Sequence, residues 1–134
     1  MSVLIELEST NQLEALLRAG MLVKFERADE SELLIGSPVY AAALAVLRDS
    51  LIEELRSSGS AGHSQRQAAW YQIARHPHLW AVVASRAASH PRWRELGESD
   101  RLSWVETLAA PLTVDRQTFS SIQLMVDDLV GPHT

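Results

Sequence analysis

Residues 37–57 read SPVYAAALAVLRDSLIEELRS, and this stretch decides the fold because it predicts the longest helix of the chain. Ser37 is a favourable N-cap, and Pro38 suits the first helical position, where a missing N–H costs no hydrogen bond. The first half of the helix is apolar all round, which indicates burial on every side, whereas the second half is amphipathic. We therefore expect a core helix over residues 38–57.

The residues before this helix predict short strands. Residues 3–8 and 21–27 alternate apolar and polar side chains, and residues 33–35 are either a third strand or the lead-in to the core helix. Between the first two strands, Ser9 begins a helix with a leucine stripe, and Gly20 is expected to close it. The N-terminal part is thus predicted to contain both strands and helix.

The residues after the core helix predict a run of helices. Residues 58–63 are rich in serine and glycine, which is typical of a flexible linker. Because proline disfavours helical geometry in the residue before it, His76-Pro77 and His90-Pro91 each mark a corner between helices. The two corners resemble each other in sequence. The helices are expected at residues 64–75, 79–88, 99–110 and 115–130.

We therefore predict a single domain over residues 1–134, of the mainly α (α+β) class. Short N-terminal strands would pack beside the long buried helix 38–57, and a compact bundle of about four helices would follow. In this prediction residues 1–57 form the α+β part and residues 64–130 the helical part.

Composition excludes several classes of protein. The chain has no cysteine, which excludes disulfides, thiolate metal sites and a cysteine nucleophile. Its longest apolar run is nine residues, whereas a membrane span needs about 20. The N-terminus lacks the positive region of a signal peptide, so we expect a cytoplasmic protein without a membrane segment. Eleven arginines against one lysine favour a GC-rich bacterial genome.

Charge is distributed unevenly along the chain. The net charge is -5, yet residues 63–94 hold five arginines, no acidic residue, four of the five histidines and three of the four tryptophans. This segment is either a contact surface or packs against the acidic flanks of the same fold, and both possibilities stay open. Trp70 shares a helical face with Ile73, so we expect it in the core.

Four histidines within one segment raise the question of a metal or a catalytic site. If residues 78–90 are mostly helical, their ends lie about 18 Å apart, so His78 and His90 cannot share a metal ion. Histidine before proline can instead donate to the last carbonyls of a helix. We expect no metal ligand, cofactor or catalytic residue. A small histidine-dependent hydrolase or metal-dependent enzyme remains an alternative.

The mixture of arginine and tryptophan is also found in nucleic-acid-binding and protein-binding surfaces. An RNA-binding helical module is a second alternative, although a net negative protein is handicapped toward phosphates. Tryptophan and arginine dominate the hot spots of protein interfaces, and binding residues often lie on loops. We therefore predict a non-enzymatic protein-interaction module, such as an immunity or inhibitor protein that masks a toxin-like or effector-like partner, as a monomer or homodimer.

The predicted contact residues lie at the two His-Pro corners and are Arg75, His76, His78, Trp80, Arg92 and Trp93. An alternative contact surface is acidic and would bind a cationic partner. Its residues are Glu26, Asp29, Glu30 and Glu32.

Overall fold

The computed structural model describes residues 6–26 and 32–131, and most of these residues are helical. The α-helices are α1 (Thr10–Met21), α2 (Glu32–Ile35), α3 (Pro38–Ser57), α4 (Ala61–Trp70), α5 (Pro77–Ala88), α6 (Glu98–Ala109) and α7 (Arg116–Val130). A π-helical turn (Leu22–Glu26) follows α1, and 3₁₀ turns (Ile73–Arg75 and Trp93–Glu95) precede and follow α5.

The predicted α+β class is wrong, because the described residues contain no strand. The extended backbone pairing that occurs there is one isolated parallel bridge between Gln72 and Thr113. Residues 6–8 of the first predicted strand are not in a strand, and residues 3–5 lie outside the described part. Residues 33–35 belong to α2, which is the helical lead-in to α3.

The second predicted strand, residues 21–27, is helical as far as the described residues reach. In a strand Leu22 and Lys24 would share a face, but Leu22 is exposed and Lys24 is fully buried. Gly20 does not close α1, since the helix continues to Met21. A Cβ at Gly20 would lie 2.5 Å from Leu44 Cδ2, so the glycine is needed for the close approach of α1 to α3.

Lys24, the single lysine of the chain, joins three parts of the fold. Its ammonium donates to the carbonyl of Ile35 at the end of α2 (2.7 Å) and to that of Thr107 in the last turn of α6 (2.6 Å). Both carbonyls lie at the negative ends of helices, which favours a cation there. Burial, together with the smaller effect of the nearby Arg86 guanidinium, lowers the pKa of Lys24 to about 8.

Helix α3 has the predicted bounds but not the predicted burial. The Ser37 hydroxyl accepts from the Tyr40 N–H (3.1 Å), and Pro38 is the first helical residue, as expected. However, Val39 is 81% exposed and Val46 is 63% exposed, so the first half of the helix is not buried on every side. The neighbours α1, α4 and α6 cover other faces of α3 and leave this one to solvent.

The connection between α3 and α4 is a tight turn rather than the flexible linker predicted for residues 58–63. Gly59 has a positive φ of 86°, and the N–H groups of Gly59 and Ser60 bond the carbonyls of Arg56 and Leu55. This is the Schellman arrangement, which satisfies the last carbonyls of a helix. Residues 61–63 already belong to α4, so α4 packs directly back on α3.

The C-terminal helices build most of the core. Helix α5 lies between α6 and α7, and three of its residues, Val83, Ala84 and Ala87, have no exposed surface. One continuous apolar cluster joins them to residues of α1, α3, α6 and α7. Residues from both ends of the described chain therefore share one core. The Gly131 turn, with a φ of 86°, ends α7.

Candidate interaction surface

The structure separates the two predicted corners. Pro77 is the first residue of α5, and His90-Pro91 follows its end, so the corners lie at opposite ends of this helix. A helix of 12 residues is about 18 Å long at about 1.5 Å per residue. The six predicted contact residues thus fall into two separate groups, and they do not form one surface.

The tryptophan of the second corner is part of the core. Trp93 is 1% exposed, its indole N–H donates to Asp127 Oδ1 (3.0 Å), and the Arg101 guanidinium lies 4.8 Å from the ring centroid. Trp93, one of the predicted contact residues, is thus enclosed by α6 and α7 and has almost no exposed surface. Arg92 is exposed, but it forms an ion pair with Glu95 (2.7 Å). Arg92 thus has an intramolecular partner at its Nε, and the Trp93 side chain is enclosed.

The first corner is partly open to solvent. Arg75 and His78 are exposed, His76 is half-buried, and Trp80 is half-buried with its indole N–H donating to the Ile73 carbonyl (2.8 Å). Trp80 therefore holds the 3₁₀ turn onto α5. His76 Nε2 donates to the Trp70 carbonyl (2.6 Å), which confirms the expectation that a histidine before proline caps a helix end.

Trp70 is the residue that the sequence interpretation placed wrongly. It is the last residue of α4 and is 46% exposed, not buried. The assignment to the core assumed one helix through Ile73, but α4 ends at Trp70 and the chain turns before Ile73. The polar composition of α4 carried a usable signal: its one buried residue is Ser64, and it has no apolar stripe for Trp70 to join.

Two hollows lie on either side of the Trp70 side chain. The first, of about 530 Å³, lies between α1 and α4 and is lined by Glu14, Arg18, His63 and Arg66 in addition to Trp70. The second, of about 630 Å³, lies between α4 and the following 3₁₀ turn and is lined by Arg66, Arg75 and His76 in addition to Trp70. We name these residues, apart from Glu14, the Trp70 surface.

The Trp70 surface is cationic although the protein is acidic. It contains three arginines, Arg18, Arg66 and Arg75, and none of them forms an ion pair with another residue of the described part. Glu14 is the one carboxylate that lines either hollow. The chain as a whole carries a net charge of -5. Positive potential is thus concentrated around one exposed aromatic ring.

The indole ring of Trp70 is held by its neighbours. The rings of Tyr71 and His76 pack edge-on against it, with centroid distances of 5.0 and 4.8 Å. The ring of His78 lies 6.0 Å from that of His76. Tyr71 itself is buried, and burial raises the pKa of its phenol. The exposed aromatic group is therefore positioned before any partner arrives.

The alternative acidic surface lies mostly outside the described part of the chain. Glu26 is exposed at the end of the π-helical turn. Asp29 and Glu30, and the side chain of Glu32, lie outside the described residues.

The histidines of residues 6–26 and 32–131 are engaged in local contacts. His63 Nε2 lies 3.3 Å from Gln67 Nε2, and His90 Nδ1 accepts from the Arg92 N–H (3.0 Å) while its ring packs edge-on against Trp104 (5.5 Å). No group of three histidine, aspartate or glutamate residues converges in this part of the chain.

Comparisons with known proteins leave the site to be interpreted from its own chemistry. No protein-family model, curated protein or solved structure matches the chain. None of the helices in the described residues combines the length and the apolar character needed to cross a membrane.

Proposed function

We propose that this protein is a non-enzymatic protein-interaction module and that the Trp70 surface contacts its partner. The observation that carries this proposal is the 46% exposure of Trp70 beside two hollows, whose arginines have no ion-pair partner within residues 6–26 and 32–131. Tryptophan and arginine are the residue types that dominate binding hot spots. The proposal retains Arg75 and His76 of the predicted contact residues and places Trp70 at the centre, where Trp93 was expected.

The exposed part of the Trp70 side chain would contribute to the binding free energy if a partner covered it. A tryptophan side chain buries up to about 250 Å², and apolar burial stabilises by about 25 cal/mol per Å². Covering the 46% that is exposed would therefore contribute about 3 kcal/mol to a complex. The edge-on contacts with Tyr71 and His76 hold the ring, so little side-chain entropy is lost when a partner covers it.

The predicted role as an immunity or inhibitor protein, which would mask a toxin-like or effector-like partner, is the specific form of this proposal. It is supported by the acidic charge of the chain and by the exposed aromatic ring that the Trp70 surface presents among arginines. In this role the complex would cover Trp70, and the partner would lose its own activity on binding.

Photo-crosslinking tests the proposal. A benzophenone amino acid placed at Gln65, which lines the second hollow, is expected to crosslink one partner protein in the cell that makes this chain. Leu124 of α7, which is 68% exposed, is the matched control position and should not crosslink that protein.

The crosslinked partner is then purified and its affinity measured by calorimetry. Trp70→Ala is expected to weaken binding by at least about tenfold, since each factor of ten corresponds to about 1.4 kcal/mol. Equal affinities of the wild type and Trp70→Ala for that partner would overturn the proposal, and so would equal crosslinking from positions 65 and 124.

A further inference from the structure

We infer that the Trp70 surface binds an acidic segment of its partner, with carboxylates over the second hollow and an apolar side chain against the Trp70 ring. This inference rests on the proposed function and specifies the chemistry of the partner. It is carried by the distribution of charge around Trp70 and by the difference between the two hollows.

The second hollow is the more cationic of the two. Arg66, Arg75 and His76 line it, and no carboxylate does. Arg66 and Arg75 have no ion-pair partner among the described residues, so their guanidinium groups are free to bond carboxylates there. Arginine binds a carboxylate through two parallel hydrogen bonds, which gives both affinity and orientation.

The first hollow has a different charge balance. Glu14 lies there with Arg18 and His63, so one carboxylate offsets part of the positive charge. An acidic segment would be attracted less to this side of Trp70 than to the other. The difference gives the bound segment a direction, with its highest density of carboxylates above Arg75.

A short acidic protein segment fits this surface better than a nucleic acid does. Both are anionic, but a nucleic acid extends well beyond the hollows and would meet the field of a protein with a net charge of -5. A short acidic segment would contact mainly the three arginines and the indole ring of Trp70. One exposed tryptophan also provides a single apolar anchor rather than the row of aromatic groups on which successive bases stack.

The indole N–H signals of the four tryptophans provide a direct readout by NMR. Trp80 donates to Ile73, Trp93 donates to Asp127, and the Trp104 nitrogen is buried, whereas Trp70 is exposed. The probe is a short capped peptide of alternating glutamate and leucine. It is expected to shift the Trp70 signal saturably and to leave the other three unchanged.

Two matched peptides separate the contributions of charge and apolar contact. Replacing glutamate by lysine is expected to abolish the shift, and replacing leucine by serine to weaken binding by about tenfold. Equal shifts with the lysine peptide would overturn the inference. A single-stranded RNA oligonucleotide that binds more tightly than the acidic peptide would also overturn it.

Charge reversal tests the orientation of the segment. Arg75→Glu is expected to weaken binding of the acidic peptide by about tenfold or more and to create affinity for the lysine peptide. Arg116→Glu, at an exposed position on α7, is the control and should leave both affinities unchanged.

The crosslinked partner distinguishes this inference from the function on which it rests. If Trp70→Ala weakens that complex but Arg66→Glu and Arg75→Glu do not, the surface binds a protein and the acidic segment is ruled out. If Trp70→Ala leaves the complex unchanged, the proposed function itself fails.

Discussion

The two His-Pro corners have similar sequences and opposite surroundings. At His76-Pro77 the histidine caps α4 and supports an exposed tryptophan, whereas at His90-Pro91 the following tryptophan is buried. The difference comes from elements that follow later in the chain. Arg101 and Trp104 of α6 and Asp127 of α7 cover the second corner, and α4 and α1 only border the first. The local sequence thus determines where the chain turns between helices, but it does not determine whether the residues of that turn are exposed to solvent.

The largest expected effect is the loss of stability on replacing the buried tryptophan. Trp93→Ala removes a ring that is 1% exposed, its hydrogen bond to Asp127 and its contact with Arg101. We expect a loss of about 3–5 kcal/mol in the free energy of unfolding, measured by urea titration. Trp70→Ala, the matched control at the other corner, should cost about 1 kcal/mol or less. Equal losses would contradict the assignment of one ring to the core and the other to the surface.

The second prediction concerns the buried cation of the N-terminal part, which contrasts with the exposed cations of the Trp70 surface. The pKa of Lys24 is about 8 in the folded protein and 10.5 ordinarily. Between these values the folded protein holds a neutral amine while the unfolded chain keeps its proton. Unfolding then takes up a proton, so the free energy of unfolding rises with pH. Below pH 8 both states are protonated and the cost of burial is fully present.

The pH dependence predicted for Lys24 is tested by measuring the free energy of unfolding in urea at several pH values from 8 to 10. We expect a total gain approaching about 3 kcal/mol across the whole window, at about 1.4 kcal/mol per pH unit. Lys24→Met is the control and should show no such rise. Above pH 10 two tyrosines oppose this rise, because partial burial of Tyr40 and burial of Tyr71 raise the pKa of their phenols, and their ionisation then favours unfolding. A wild-type stability that stays flat or falls between pH 8 and 10 is the contradicting result.

The third prediction compares the two histidines. His76→Ala loses a hydrogen bond to the Trp70 carbonyl, and His90→Ala loses one from the Arg92 N–H. Each substitution should cost about 1 kcal/mol in the free energy of unfolding. Only His76→Ala should also shift the Trp70 indole N–H signal, because the His76 ring packs against that indole. An equal shift in His90→Ala would show that the corners are coupled rather than independent.

The sequence predicts correctly those helix boundaries that depend on neighbouring residues. The Ser37-Pro38 cap, the bounds of α3 and the start of α7 near Asp115 follow from neighbouring residues, and the structure has them. The sequence-based prediction is wrong where contacts between residues far apart in the chain determine the structure. Alternation at residues 21–27 resembles a strand, but Lys24 is buried because carbonyls of Ile35 and Thr107 receive it. No pattern in the sequence near Lys24 indicates that these carbonyls are its hydrogen-bond partners.

The candidate site shows the same division between local and distant information. The cationic, aromatic character of residues 63–94 is visible in the sequence, and two of the predicted contact residues, Arg75 and His76, line the second hollow beside Trp70. Arg18 was missed because it comes from α1, far away in the chain. Trp70 was missed because the end of α4 has no glycine or proline to mark it, so the predicted helix continued through Ile73 to residue 75.

The smallest expected effect on stability concerns the exposed arginine at each of the two corners. Arg92 is paired with Glu95 at 2.7 Å, and Arg75 has no ion-pair partner among residues 6–26 and 32–131. Because exposed pairs contribute little, Arg92→Ala and Arg75→Ala should each change the free energy of unfolding by less than about 0.5 kcal/mol. Their effects on affinity should differ, since calorimetry with the crosslinked partner is expected to detect weaker binding of Arg75→Ala alone. If Arg92→Ala weakens the complex as much, the partner contacts both ends of α5, and the exposed residues of the second corner are then part of the interface despite the enclosure of Trp93.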